Sequence, residues 1–353
     1  MMHEPILPEK RKGPTVWYGP QMATRTQEWI WELSSEEIQE LEAAAEPLVA
    51  RQADVAQLTA ADFPLPKLAP RLKSLQQELI QGRGFSLIRG LPVNSYSERE
   101  AVTIFFGLGT YLGHARSQNA QGHILGHVRN TGASSDDPKV RIYQTRERQT
   151  FHTDSTDVVG LLCLQPARKG GKSLLVSADT VYNELLHRRP DLLPPLLAPI
   201  ATDRRGEVPE GMDPFLLIPV YSHYADRLTI FYQRQYIESA QRFAKAPRLT
   251  DQHFAALDLF DELCNDSQIH LSMQLEKGDM QFVYNHAMLH DRTGFEDWPE
   301  PERRRHLLRL WLSVPGDRPL PPIFATRYGS VAVGNRGGII VPGTAFCVPW
   351  DSE

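Results

Sequence analysis

The chain has few cysteines and no long apolar segment. Its 353 residues include only three cysteines, Cys163, Cys264 and Cys347, and no C-x-x-C pair. Neither a disulfide framework nor a thiolate zinc site is therefore expected. The amino terminus lacks the apolar segment of a secretory signal. The most apolar stretch, Val158–Leu164, is far too short to span a bilayer. We expect a cytoplasmic protein that does not enter membranes.

The chain also lacks an excess of basic charge. Its formal net charge is −5, and its one dense basic cluster, Arg303–Arg305, follows an acidic stretch. Such a cluster is typical of a solvated surface, so we predict no nucleic-acid binding. With 41% hydrophobic residues, the composition is that of a globular protein with a substantial core. A small molecule is the expected partner, and homo-oligomers are common enough that we expect one here.

The residue composition and pattern divide the chain into three parts. We interpret residues 1–60 as an N-terminal elaboration that contains a helix over Ser34–Glu46, begun by a serine cap. Residues 61–315 form one domain, and residues 316–353 form a proline- and glycine-rich tail that packs on its surface. Within the domain, apolar spacing predicts helices over Leu68–Gln81 and Ser97–Leu112 and a strand over Phe85–Arg89.

From residue 141 onward, short β-like runs separated by turn residues dominate the sequence. The predicted strands are Arg141–Tyr143, Asp157–Leu164, Ser173–Ser177, Phe215–Tyr221, Leu228–Gln233, His270–Leu275, Met280–Tyr284 and Leu307–Val314. Helical inserts are predicted over Ala178–His187 and Thr250–Cys264. Several short strands with helices at the margins predict a mainly β protein with a jelly-roll-like sandwich.

The triplet His152-Thr-Asp154 is the most informative short motif. If this segment is extended, side chains at positions i and i+2 point to the same face, and an imidazole and a carboxylate converge. By itself the H-x-D pattern is weak, because a turn aspartate beside a core histidine gives the same letters. A third ligand must come from elsewhere in the chain.

Two histidines follow the predicted strand Met280–Tyr284, namely His286 and His290. The glutamate of the H-E-x-x-H zinc motif is missing, which favours a strand end over a zinc-binding helix. We predict that His290 reaches inward and that His286 packs or hydrogen-bonds nearby. Together with His152 and Asp154, His290 would complete a facial triad of two histidines and one carboxylate, which suits iron(II) and dioxygen.

Iron of this kind needs two electrons beyond those of the substrate, and 2-oxoglutarate can supply them by oxidative decarboxylation. Its distal carboxylate requires a fixed cation, for which the planar fork of arginine is well suited. Alternation along the last predicted strand places Arg305, Leu307 and Arg309 on one face. Two arginines in an apolar strand are costly unless an anion pairs with them or the strand lies at a surface edge.

Four segments in a fixed order resemble the taurine dioxygenase (TauD/TfdA) family of iron(II)- and 2-oxoglutarate-dependent oxygenases. The resemblance spans about two thirds of the chain. The segments are Phe151–Asp154, Gly170–Ser173, Leu289–Phe295 and Arg305–Arg309. The resemblance implies a double-stranded β-helix, or jelly-roll, core. It also implies that iron, 2-oxoglutarate and dioxygen are used together.

The resemblance assigns roles residue by residue. It implies that His152, Asp154 and His290 bind iron and that Arg305 binds the distal carboxylate of 2-oxoglutarate. It places Arg309 near the other carboxylate of the co-substrate or near the prime substrate. Ser173 stands where the family has a threonine whose hydroxyl touches 2-oxoglutarate. A carboxylate at Asp154 favours hydroxylation over halogenation, and Arg309 favours a small acidic organic substrate.

Other polar residues near these motifs are candidates for the pocket, although ordinary packing or exposure explains each of them as well. They are Tyr143, Gln144, Arg234 and Tyr236. The pair His123 and His127 has helical spacing, but Gly122 and Gly126 favour a loop or strand at the mouth of the site.

Two other functions fit the same residues. A zinc hydrolase could use the same three ligands, but it has no need of an arginine for a co-substrate. A non-catalytic jelly-roll binding protein would have no need of an intact triad.

Overall fold

The structure is a computed structural model that describes residues 7–133, 141–208 and 211–350. It combines α-helices with several β-sheets. The α-helices are α1 Gly19–Ala23, α2 Ser35–Ala50, α3 Ala69–Gln81, α4 Glu98–Gly109, α5 Ala178–Arg188, α6 Leu193–Leu197, α7 Arg234–Ser239, α8 Asp251–Asn265 and α9 Ala325–Tyr328.

The strands are short, as the turn-rich sequence predicts. They are β1 Ile30–Glu32, β2 Phe85–Arg89, β3 His114–Ala115, β4 Leu125–Arg129, β5 Gln149–His152, β6 Val158–Gln165, β7 Lys169–Gly170, β8 Ser173–Ser177, β9 Ile200–Asp203, β10 Phe215–Ile218, β11 Tyr221–Tyr224, β12 Arg227–Ile230, β13 Leu271–Met273, β14 Met280–Tyr284, β15 Met288–Arg292, β16 Phe295–Glu296 and β17 His306–Ser313.

Seven strands form the larger sheet, in the order β1-β2-β14-β6-β17-β3, with β4 also pairing with β17. Strands β6, β14 and β17 lie in its interior; β14 and β17 are buried along almost their whole length, and β6 is buried over most of it. This burial explains their nearly continuous apolar sequences. The first 60 residues contribute β1, which pairs in parallel with β2 at the sheet edge.

Four strands form the smaller sheet, in the order β13-β8-β15-β5. Its outer face packs on α5 and α8 through an apolar cluster that includes Leu174, Leu289 and Phe260. A second and larger apolar cluster joins the larger sheet to α2, α3 and α4. Because each sheet has its own helical cover, polar side chains can point into the space between the two sheets.

Most predicted helices and strands are confirmed, some to the residue. Ser173–Ser177, Met280–Tyr284 and Phe85–Arg89 have the predicted bounds. The helices after Ser34 and Ser97 each begin with a capping box, in which the serine accepts from the backbone of a glutamate three residues later.

Two of the predicted strands are wrong. Arg141–Tyr143 overlaps a 3-10 turn, Ile142–Gln144, in which the Arg141 backbone amide donates to the Gln144 side chain. This local bond competes with strand pairing. The run predicted over Phe215–Tyr221 divides into β10 and β11, which pair with β9 and β12 in two separate ribbons.

The C-terminal tail does more than cover the surface. Phe324 and Tyr328 are buried in an apolar cluster with β10 residues, and the side chain of Arg336 is fully buried. Part of the tail is therefore buried against the domain, because the arginine at this position finds buried carboxylates to pair with.

Within the described residues, no helix combines the length and the apolar character needed to cross a lipid bilayer.

Candidate metal centre

Two paired strands of the smaller sheet bring the predicted ligands together. His152 ends β5 and faces His290 on β15 in the antiparallel register. Asp154 follows two residues after His152. Its carboxylate oxygens lie 3.9 Å from His152 Nε2 and 3.7 Å from His290 Nε2. All three ligand atoms lie within 4.8 Å of one another, so the group could hold a metal ion.

Hydrogen bonds orient each of these side chains. His152 Nδ1 lies 2.8 Å from the Thr150 carbonyl, which leaves Nε2 as the atom directed at the site. Such a bond from the other ring nitrogen is usual for metal-binding histidines. Asp154 accepts the indole N–H of Trp311 at 3.0 Å, and its own backbone amide donates to Asn285 at 3.1 Å.

The electrostatics favour deprotonated ligands. Burial, followed by repulsion from His290, lowers the pKa of His152 to about 3. Burial acts to raise the pKa of Asp154, but the Arg309 guanidinium and the two histidines outweigh it and lower that pKa. A neutral imidazole and an ionised carboxylate are the forms that bind a divalent cation.

The donor set passes a simple test of fit for iron(II). Two imidazole nitrogens and one carboxylate oxygen converge from one side, which is the facial arrangement with open positions described for non-haem iron. The Gln149 side-chain nitrogen lies 2.8 Å from His152 Nε2, on the lone pair that a metal would use. Gln149 must therefore turn away when a metal binds.

A narrow cavity of about 40 Å³ extends from the triad between the two sheets. Its lining includes Ser173 from the smaller sheet, Arg305 just before β17, and Leu307 and Arg309 on β17 of the larger sheet. The predicted alternation in this segment is confirmed, since the three side chains share a face. Arg305 and Arg309 are 5% and 7% exposed, which excludes an exposed edge strand as the explanation for them.

A wider cavity of about 660 Å³ opens in front of the triad. His123, His127, Tyr143, Gln144 and Tyr236 line it, together with His152, Asp154, Arg309 and Trp311. His127 lies on β4, and His123 lies two residues before this strand in an isolated bridge with Cys347, as the loop-or-strand interpretation predicted.

Arg234 does not line this cavity. It is bound by Glu238, Asp258 and Asp261, and these carboxylates together with Tyr232 raise its pKa against the opposing effect of burial. For this residue the ordinary structural explanation is sufficient.

Three residues at the site were missed by the sequence reasoning: Gln149, Trp311 and Arg292. Trp311 lies two residues after Arg309, so alternation along β17 could have placed it beside the triad. Arg292 lies two residues after His290 and could have been found in the same way. A shift of register between β15 and β5 brings Gln149 to the face of His152, and nothing in the local sequence indicates that shift.

A second cluster of possible ligands lies behind the triad, consisting of Asp157, His286 and Asp317. His286 Nε2 is 2.8 Å from an Asp157 oxygen, which confirms its predicted role as a nearby hydrogen-bonding residue. The guanidinium of Arg336 lies 2.7 Å from both carboxylates. This buried arginine already supplies the positive charge that a metal would bring.

Comparison with known sequences points to the same family as the sequence motifs. The profile described as "Taurine catabolism dioxygenase TauD, TfdA family" matches residues 46–311. A relative named FR-33289 synthase, from Streptomyces rubellomurinus, is 31% identical over 93% of this chain and 97% of its own length. A taurine hydroxylase-like protein, SAT17 from Stachybotrys chartarum, is 30% identical over 86% of this chain and 80% of its own length.

Solved structures give the same fold. The non-haem iron oxygenase OrfP in complex with iron and α-ketoglutaric acid aligns with a TM-score of 0.62 and 15% identity, over 80% of this chain and 93% of OrfP. At this identity the match speaks for the fold alone. The family profile and the two sequence relatives cover most of the chain. The chain therefore belongs to the TauD/TfdA family and is a dioxygenase of the iron(II)- and 2-oxoglutarate-dependent class.

Proposed function

We propose that this enzyme hydroxylates a small acidic organic substrate, with release of succinate and carbon dioxide from 2-oxoglutarate. In this proposal His152, Asp154 and His290 hold iron(II), Arg305 and Ser173 bind the distal carboxylate of 2-oxoglutarate, and Arg309 binds at the boundary with the substrate. The two facing sheets are the halves of a double-stranded β-helix.

One observation carries this proposal. A group of three metal-binding side chains lies at one end of a narrow cavity, and Arg305 lies in the same cavity without a carboxylate partner among the described residues. A buried guanidinium that lacks an anion is costly. A bound 2-oxo dicarboxylate offsets this cost, because it can reach the metal with one end and the arginine with the other.

Arg309 supports the choice of an acidic substrate. Its Nε donates to Gln118 at 2.8 Å, and its Nη1 lies 3.5 Å from Asp154. The guanidinium also lies over the rings of Tyr143 and Trp311. It therefore lines both the narrow and the wide cavity in a fixed orientation. Taurine, in the family's description, carries a sulfonate that such an arginine suits.

Ser173 needs one adjustment to fill its proposed role. Its hydroxyl donates to the Gln281 side chain at 2.9 Å, and the Gln281 amide nitrogen faces the sulfur of Met273. The oxygen and nitrogen of a glutamine amide are interchangeable at the level of heavy atoms. With the amide turned over, Gln281 donates to Ser173, and the serine hydroxyl becomes available to a carboxylate.

In this proposal the protein side chains position the metal ligands and the substrate. The bound iron and co-substrate supply the oxidising chemistry. Trp311 and Asn285 fix Asp154, and the Thr150 carbonyl fixes the His152 ring, so that both side chains would be held in place to bind iron(II). The wide cavity admits the substrate next to Asp154, and the closely packed strands behind the triad exclude water.

The test is an anaerobic titration of iron(II)-loaded protein with 2-oxoglutarate, followed by the weak visible band of a chelated 2-oxo acid. We expect the band in wild type, no band in His290→Ala, and a raised requirement for 2-oxoglutarate in Arg305→Ala. Arg303→Ala is the matched control, because Arg303 is exposed; it pairs with Glu300 at 3.5 Å and lies over the Trp298 ring.

If folded, iron-loaded wild type gives no band, the proposal is wrong. A zinc hydrolase or a binding protein would then account better for the same triad. Once the band is seen, succinate formation in a screen of sulfonates, phosphates and carboxylates identifies the substrate.

A further inference from the structure

We infer that Arg292 is a second cation for the distal carboxylate of the co-substrate, so that Arg292 and Arg305 form a two-arginine clamp. The clamp would make the enzyme selective for dicarboxylic over monocarboxylic 2-oxo acids. This inference rests on the proposed function, since it concerns the same cavity. It adds a specificity residue that the sequence motifs did not assign.

The strand register places Arg292 on the correct face. It lies two residues after His290 on β15, so both side chains point to the same side of the smaller sheet. Its cross-strand neighbour on β8 is Ser173. Arg292, Ser173 and Arg305 all line the narrow cavity that extends from the triad. Arg292 therefore enters this cavity from the sheet opposite to that of Arg305.

A shared aromatic ring brings the two arginines together. The guanidinium carbon of Arg292 lies 4.8 Å from the centre of the Phe295 ring, and that of Arg305 lies 5.1 Å from the same centre. Cation–π contacts of this kind hold a guanidinium in place without neutralising it. Both groups thus keep their charge available for an anion.

Both arginines are buried and incompletely paired. Arg292 is 7% exposed and Arg305 is 5% exposed. Among the described residues, Arg292 Nε and Arg305 Nη1 have no hydrogen-bond partner, and neither arginine forms an ion pair with a carboxylate within 4.0 Å. Two neighbouring buried cations with unpaired N–H groups fit a bound carboxylate, whose two oxygens can accept from both.

Arg292 also has a structural role, which the experiment must distinguish from binding of the distal carboxylate. Its Nη1 donates to the Thr145 carbonyl at 3.0 Å, and its Nη2 donates to the Glu147 carbonyl. These two bonds hold the loop that leads into β5 and the metal ligand His152. A purely structural role would weaken every ligand of the site to the same degree. A clamp would weaken only ligands that carry the distal carboxylate.

The experiment compares 2-oxoglutarate with 2-oxopentanoate, which has the same chelating end but no distal carboxylate. Dissociation constants are measured anaerobically on iron(II)-loaded protein from the visible band, without turnover. In Arg292→Gln we expect binding of 2-oxoglutarate to weaken by about 10-fold or more, as for the loss of a charge-assisted hydrogen bond, while 2-oxopentanoate is unchanged. Arg292→Lys should recover part of the preference, and Arg303→Gln should leave it intact.

A second readout needs no metal. Glutarate should raise the melting temperature of metal-free wild type, and this shift should shrink in Arg292→Gln and in Arg305→Gln. Equal weakening of both 2-oxo acids in Arg292→Gln, or an unchanged ratio, overturns the clamp while leaving the proposed function standing. If wild type shows no preference for 2-oxoglutarate, the proposed function itself fails.

Discussion

The triad His152, Asp154 and His290 and the cluster Asp157, His286 and Asp317 offer similar donor atoms within a few residues of each other. Both groups combine imidazole with carboxylate, and in each the ligand atoms lie within 4.8 Å of one another. The triad borders two cavities, and its nearest guanidinium, that of Arg309, stays 3.5 Å from Asp154.

The second cluster has a cation of its own, and its three side chains are buried. Arg336 reaches it from the C-terminal tail, and the Tyr284 hydroxyl donates to Asp317 at 2.6 Å. Burial acts to raise the pKa of Asp157, but His286 and Arg336 outweigh it and lower that pKa. Donor atoms alone therefore do not define a metal site. What separates the two clusters is whether the chain itself fills the place of the cation.

The largest effect should come from breaking the triad. We expect one divalent metal per wild-type chain in a cobalt(II) titration, and a loss of affinity of more than about 100-fold in His290→Ala, since even residues that only support metal ligands are worth about 10- to 100-fold. Calorimetry or cobalt absorption measures the stoichiometry. His286→Gln is the matched control and should still bind one metal. A metal that survives His290→Ala but disappears in His286→Gln would reverse the roles of the two clusters.

Removing the internal cation should have the next largest effect. Arg336→Met leaves Asp157 and Asp317 buried without their partner, and we expect the free energy of unfolding to fall by about 3–5 kcal/mol. Denaturant titration of the metal-free protein measures this change. Arg303→Met removes only an exposed arginine and should stay within about 0.5 kcal/mol of wild type. If the two variants proved equally stable, the cluster could not be the charge-paired anchor of the tail.

The comparison of the two clusters also shows which parts of the candidate site could be predicted from the sequence. The triad could be predicted because two of its members are two residues apart, and alternation along a strand is a local rule. Arg305 and Arg309 followed from the same rule. Arg336 and Asp157 are separated by 179 residues, and no local pattern pairs an arginine in a proline- and glycine-rich tail with a particular aspartate.

Register shifts and turn chemistry limit the prediction at the site. Gln149 reaches His152 because the pairing of β5 with β15 slips by one residue. The strand predicted at Arg141 instead becomes a turn, in which the Arg141 backbone amide donates to the Gln144 side chain. Both features depend on interactions that compete with regular pairing, which hydrophobic periodicity does not report.

The smallest expected effect is a pH dependence of the free energy of unfolding, and it comes from His152 of the triad. The pKa of His152 is lowered to about 3 from its ordinary value of 6.5, mainly by burial. Below pH 6.5 the unfolded chain binds a proton at this histidine and the folded chain does not, so the stability is fully present above pH 6.5 and declines as the pH falls. Between pH 6.5 and 5 we expect this group to remove about 2 kcal/mol from the metal-free protein.

Denaturant titrations of wild type and His152→Gln across this range measure the contribution, because the variant should show a pH dependence that is shallower by about the same 2 kcal/mol. His187→Gln on α5 is the control, since that side chain is exposed and should leave the slope unchanged. Parallel curves for wild type and His152→Gln would mean that His152 takes up its proton in the folded state as readily as in the unfolded one. The metal-facing histidine would then be charge-paired in the metal-free protein, and the contrast with the arginine-filled cluster would have to rest on its open cavity alone.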